Sequence, residues 1–93
     1  MLTFEWDNKK AHANEQKHGI SFEESSSAFA DPLSLTLHDP LHSENEERFV
    51  LIGASHKNRI LVVVHTERGD TIRIISARKA TKNERSYYES NAK

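Results

Sequence analysis

The sequence predicts a small α+β domain in which helices flank an antiparallel run of strands. Three observations carry this. Apolar spacing changes from the helical period to strict alternation at Leu33. Helix start and stop signals cluster before that point and after Arg78. Between them lie Val- and Ile-rich runs punctuated by turn residues. Helices segregated from strands in this way fit an α+β layer rather than alternating βαβ units. Ninety-three residues support one domain with one modest core.

The first run, Leu2–Trp6, is aromatic and alternating, as in a short strand. Asp7 is placed to cap a helix from Asn8 to about His18, with Trp6 before it as a staple and Gly19 as the left-handed stop. Ser21-x-x-Glu24 is a capping box opening a second helix. It carries Phe22 and Phe29 on one face and ends at Asp31-Pro32, because a residue before proline avoids the helical region. Leu33, Leu35 and Leu37 then alternate with Ser34, Thr36 and His38, as in a half-buried strand. Asp39-Pro40 opens a polar loop to Glu46. Three more strands follow, Glu47–Gly53, Arg59–Arg68 and Thr71–Arg78, the last two joined by a Gly69-Asp70 hairpin signal. Thr81-x-x-Glu84 starts a final helix carrying Tyr87 and Tyr88. The expected order is β-α-α-β-β-β-β-α, with two N-terminal helices and one C-terminal helix on an antiparallel or mixed twisted sheet.

Composition excludes several classes. The absence of cysteine removes disulfide-stapled scaffolds and thiolate metal sites. No apolar run reaches the ~18 residues of a membrane span. The N-terminus has no basic lead followed by an apolar stretch, so the cytoplasm is the expected location. The net charge of −1 hides a dipole: residues 1–47 sum to −7, residues 57–85 to +5. Such a distribution presents a basic face to a polyanion despite a near-neutral total.

A two-residue Gly69-Asp70 turn predicts that Arg68 faces Thr71, His65 faces Ile74, Val63 faces Ser76 and Leu61 faces Arg78. Hydrophobic patterning then puts Phe49, Leu51, Ile60, Val62, Val64, Ile75 and Ala77 on the more apolar side. Arg48, His65, Ser76 and Arg78 fall on the other, with Val50, Ile52, Leu61, Val63 and Ile74. One reading has Arg48 and Arg78 near strand ends, solvated or paired with Glu46 or Glu84. The other has them lining an open face that binds phosphate, beside a helix N-terminus and an imidazole.

Phe4-x-Trp6-Asp7-x-x-Lys10-Ala11-x-x-Asn14-x-x-Lys17-His18-Gly19-Ile20-Ser21-Phe22-Glu23-Glu24 resembles the opening of the BrnT toxin family. Phe29-Ala30-Asp31-Pro32, Glu47-Arg48, Gly53, Ile72-Arg73-Ile74-Ile75-Ser76-Ala77-Arg78-Lys79-Ala80 and Glu84-Arg85-x-x-Tyr88 resemble its middle and end. The resemblance implies a RelE-like fold and a ribonuclease that arrests translation. It also implies neutralisation by a small DNA-binding, ribbon-helix-helix-like antitoxin of the BrnA type, in a heterotetramer that represses its own operon. Ser25-Ser26-Ser27 departs from the family's usual second helix, which is richer in Ala and Val.

The candidate residues divide accordingly. Arg48 and Arg78 are placed for transition-state charge. Lys17 and His18 fit a phosphate contact and a proton-transfer group, or simply a basic last turn favoured by the helix dipole. His42 and His65 are alternative proton carriers. Arg68 is either catalytic or a solvated turn arginine, and Arg73 fits a structural ion pair. Arg59, Lys79, Lys82 and Arg85, with Lys57, suit RNA-backbone contacts or are solvated charges. His38, Asp39 and His42 invite a metal reading, but Pro40 prevents a helical ligand pair and spacing places no third ligand. The expected chemistry is metal-independent endoribonucleolysis without a cofactor. The rival is a non-catalytic partner that holds an antitoxin on its operator.

Overall fold

The computed structural model describes residues 1–40 and 46–91. The expected order of elements is present: β1 (Thr3–Glu5), α1 (Asn8–His18), α2 (Phe22–Ser27), β2 (Leu35–Asp39), β3 (Arg48–Ala54), β4 (Ile60–Arg68), β5 (Thr71–Lys79) and α3 (Lys82–Asn91). The five strands form one sheet in the order β1-β5-β4-β3-β2. The β1–β5 pair is parallel and the others are antiparallel, so the sheet is mixed.

The helix boundaries follow from their caps. Asp7 accepts the Lys9 and Lys10 amides at 2.8 and 3.1 Å, and Gly19 ends α1 at φ 72°. Ser21 accepts the Glu24 amide at 3.0 Å to open α2. The single second helix expected to reach Asp31 instead tightens into a 3-10 turn at Ala28–Ala30. Ser25, Ser26 and Ser27 each turn their hydroxyl back onto a carbonyl of the same helix. Such back-bonding weakens regular helix.

The core lies between α1–α2 and one face of the sheet. Ile20, Phe22 and Ala28 meet Leu51, Leu61, Val63, Ile72, Ile74 and Ala77 there. Trp6 meets Phe22 edge-on, with ring centres 5.9 Å apart. A smaller cluster on the opposite face joins Ile52, Val62 and Ala80 to Tyr88 of α3.

The hairpin register is as expected from Arg68↔Thr71 to His65↔Ile74, then slips. An extra residue, Ile75, enters β5, and the ladder resumes as Val64↔Ser76 and Val62↔Arg78. A bulge of this kind puts two residues opposite one. It corrects the expected faces. Leu61, Val63, His65 and Ile74 lie on the core side with Phe49 and Leu51, while Val62, Val64 and Ile75 lie on the open side. Arg48, Val50, Ile52, Ser76 and Arg78 stay on the open side as expected.

Candidate functional site

The open face of the sheet holds a groove of about 860 Å³. Its floor is apolar: Leu37, Val50, Ile52, Val62, Val64 and Ile75. Its polar lining is His18, His38, Asp39, Arg48, Ser76, Arg78, Asn83 and Glu84, with Tyr87 on the wall made by α3. The two arginines named from sequence thus share one groove.

They do not share one point. Arg48 faces Thr66 across the β3–β4 ladder, and Arg78 faces Val62 across β4–β5. At ~3.3 Å per residue and ~4.8 Å between strands, their backbones stand roughly 16 Å apart. They bracket the groove from opposite ends. At the Arg48 end, Asp39 is its cross-strand partner in register.

The Arg78 end is built from three elements. The β1 strand pairs only with Thr71–Arg73, leaving the outer edge of β5 open beyond it. Asn14 of α1 fills that edge. Its amide nitrogen donates to Ala77 O at 2.9 Å and Ile20 O at 3.0 Å, and its amide oxygen accepts the Ala77 N–H at 3.0 Å. This buried side chain replaces a missing strand. His18 is four residues on, so it lies on the same side of α1 as Asn14 and reaches the groove. Asn14 belongs to the stretch that resembles the family's opening, but its bonds to Ala77 span 63 residues of sequence and have no local signal.

Arg78 is gripped by α3. Its two terminal nitrogens donate to the two Glu84 carboxylate oxygens at 2.7 and 2.8 Å, and one also donates to Lys79 O at 3.3 Å. Glu84 additionally accepts the Thr81 N–H at 2.8 Å, while Thr81 Oγ1 accepts the Glu84 N–H at 3.2 Å. The capping box and the ion pair therefore share one carboxylate. Hydrogen bonding from Arg78 is the main reason its pKa falls to about 2. The position of α3 is fixed by Tyr88, whose hydroxyl donates to Asp31 at 2.5 Å. Asp31 also accepts the Ala54 and Leu33 amides at 2.8 and 2.9 Å. Burial and the hydrogen bond to Asp31 push the Tyr88 hydroxyl up to about 12.

The remaining candidates are distributed elsewhere. His65 is fully buried on the core side, which corrects the expectation that it shares the arginine face. Its ring lies against Phe29 and Phe49, with Nδ1 at 3.2 Å from Val63 O and Nε2 at 2.9 Å from Glu67. It stands opposite Phe49 across β3–β4, and the bulge at Ile75 leaves Arg78 on the other face. Arg59, considered for RNA contact, clasps the buried carboxylate of Glu24, with Nε at 2.9 Å and a terminal nitrogen on the other oxygen. Ser55 Oγ adds a bond to Glu24 at 2.7 Å. Arg68 is exposed beside the turn and pairs with Glu46. Arg73 lies 4.0 Å from Glu5. Lys17 is exposed at the end of α1. Lys79, Arg85 and Arg59 line a second, smaller cavity with Asn58 and Glu89, and Lys82 is exposed on the first turn of α3. His42 lies outside the described residues. Among the described residues, no group of three His, Asp or Glu is close enough to hold a metal ion. No helix among them is long and apolar enough to cross a membrane.

Comparison with known proteins adds two findings. Residues 6–84 match the family model described as the ribonuclease toxin BrnT of type II toxin–antitoxin systems. The fold is similar to the crystal structure of the Brucella abortus ribonuclease toxin BrnT, with a TM-score of 0.63 at 22% identity, covering 88% of this chain and all of that one. No curated protein sequence matches.

Proposed function

The chain belongs to the BrnT family of ribonuclease toxins of type II toxin–antitoxin systems, and from that premise we propose that its open-face groove is the RNA-cleaving site. The observation that carries this is the placement of His18, Arg48 and Arg78 around one groove. In this reading a single strand lies along the floor, with bases against Leu37, Val50 and Tyr87 and phosphates toward the arginines. Unpaired bases stack on such surfaces without sequence demand.

The reaction is transfer within one nucleotide. The 2′-hydroxyl attacks the adjacent phosphorus, the P–O5′ bond breaks, and a 2′,3′-cyclic phosphate and a 5′-hydroxyl result. His18 takes the 2′-proton, water protonates the departing 5′-oxygen, and Arg78 stabilises the charge that develops on the phosphoryl oxygens. Arg48, at the far end, holds a neighbouring phosphate. The roles need only side chains and water, so cleavage is expected to proceed without a metal. Lys17, Lys79, Lys82 and Arg85 supply backbone contacts around the rim.

A type II toxin family implies an antitoxin. We expect a BrnA-type ribbon-helix-helix protein that covers the groove, in a heterotetramer on operator DNA in the cytoplasm. Purified protein incubated with RNA and EDTA should yield fragments with cyclic-phosphate and 5′-hydroxyl ends. Intact RNA under these conditions, unchanged by added ribosomes, together with harmless expression in cells, would leave only antitoxin holding as the function.

A further inference from the structure

Arg78 offers its two terminal nitrogens to a carboxylate of its own chain, and this pair lies in the groove that the proposed reading gives to RNA. A bidentate Arg–carboxylate pair and a bidentate Arg–phosphate pair use the same two parallel N–H bonds. A phosphate therefore cannot take that fork while Glu84 holds it. We propose that Glu84 is an internal stand-in for phosphate on Arg78, and that RNA gains this arginine by displacing it. The inference rests on the reading of Arg78 as a phosphate ligand.

Two features make the exchange feasible. The pair is accessible, with side chains 42% and 29% exposed for Arg78 and Glu84. The carboxylate also has somewhere to go: Thr81 N–H donates to it at 2.8 Å, at the N-terminus of α3. After displacement Glu84 keeps that bond and the favourable end of the helix dipole. The Glu24–Arg59 pair has no such freedom, because its carboxylate is buried at 2% exposure. Glu84 is thus a positioning residue: it occupies the Arg78 fork, keeps it aimed along the groove wall, and competes with every anion that enters.

Competition gives this role a distinctive sign. Glu84→Gln keeps the helix cap, since a capping box accepts glutamine, but removes the competing charge. An uncleavable 2′-O-methyl oligonucleotide should then bind about threefold more tightly at low salt, the order expected from losing a partly exposed ion pair. Arg78→Ala should weaken binding, and adding Glu84→Gln to it should change nothing further. In the unaltered chain, the Glu84 carboxyl-carbon NMR resonance should shift as oligonucleotide saturates the protein. That measurement does not depend on a variant folding.

If Arg78→Ala binds as well as the parent, the phosphate reading fails and the displacement fails with it. If Arg78→Ala weakens binding but Glu84→Gln weakens it or leaves it unchanged, the phosphate reading stands and the displacement is wrong. An unmoved Glu84 resonance at saturation also overturns it.

Discussion

Among the described residues, two glutamates on opposite sides of the sheet each clasp an arginine with both carboxylate oxygens. Glu24–Arg59 pins α2 to the loop between β3 and β4, with Ser55 and Gly19 O completing the bonds. Glu84–Arg78 joins α3 to the end of β5. Both carboxylates are held at about 2, in each case chiefly by the arginine's hydrogen bonds. Charge state alone would call them equivalent. Burial separates them: Glu24 is enclosed, while the second pair lies on a groove wall. A buried carboxylate stripped of its partner has no water to turn to, so its clasp is structural. An accessible clasp costs little to open, so it is free to exchange partners.

The largest expected effect comes from breaking the enclosed clasp. Arg59→Ala leaves Glu24 buried with only Ser55, and removing one partner of a buried pair costs about 3–5 kcal/mol. Because Arg59 itself is 30% exposed, the lower end applies, and the melting midpoint should fall by at least about 10 °C. Differential scanning calorimetry measures this. A change under about 1 kcal/mol, the value of a surface pair, would erase the distinction between the two clasps.

Arg78→Ala should do the opposite, sparing the fold and harming function. Cleavage is expected to fall about 10²-fold, the order seen when one charge-stabilising donor is lost, with a melting change of only a few degrees. Growth arrest on expression should disappear in parallel. A variant that melts far below the parent yet cleaves normally when folded would exchange the roles assigned to the two pairs.

Acid should act on both clasps through one sign. Glu24 and Glu84 are depressed from an ordinary 4.5 to about 2 in the folded chain. Their stabilisation is therefore complete above about pH 4.5 and lost as pH falls through about 2. Tyr88 has the reverse sign: raised from 10.0 to about 12, it contributes below pH 10 and is lost as pH rises through 12. Urea midpoints measured across this range should decline at both ends. Glu24→Gln should flatten the acid limb, and Tyr88→Phe the alkaline one. Tyr88→Phe should also cost about 1.5 kcal/mol, typical of a hydrogen bond to a charged acceptor.

The sequence disclosed one clasp more readily than the other. Glu84 was legible as a partner for Arg78 because Thr81-x-x-Glu84 begins three residues later, a local signal. Glu24–Arg59 joins residues 35 apart, and nothing local marks it, so Arg59 read as a surface cation. The order of elements and the Gly69-Asp70 turn were also legible, since caps and turns are short-range. Arg48 and Arg78 do share a face, but on the side of Val62 rather than of Leu61, because β4 is turned over relative to the expected register with both neighbours. The bulge was not legible. Val62-Val63-Val64 and Ile74-Ile75 supply apolar side chains to both faces, so a one-residue slip leaves no trace in hydrophobic pattern. That slip puts His65 and Arg78 on opposite faces, and His18 and His38 are the described histidines in the groove with both arginines. Asn14 filling the edge of β5 is equally long-range.

The smallest effects should come from cations outside both clasps. Lys79 and Arg85 line the small cavity on the other flank of α3 from Glu84. As rim contacts they touch phosphates but no reacting atom. Lys79→Ala and Arg85→Ala should each weaken RNA binding only a fewfold at low salt and reduce the salt slope by about 0.7. At high salt the loss should vanish, because exposed charges are screened within a Debye length of about 3 Å at 1 M. The cleavage rate at saturating RNA should stay at the parent value, so KM alone rises. The dependence on length is the sharper test. A dinucleotide that fills only the groove should not sense either substitution, whereas a longer strand should. If the dinucleotide is affected as strongly, the small cavity belongs to the reaction centre and the boundary drawn along α3 is misplaced.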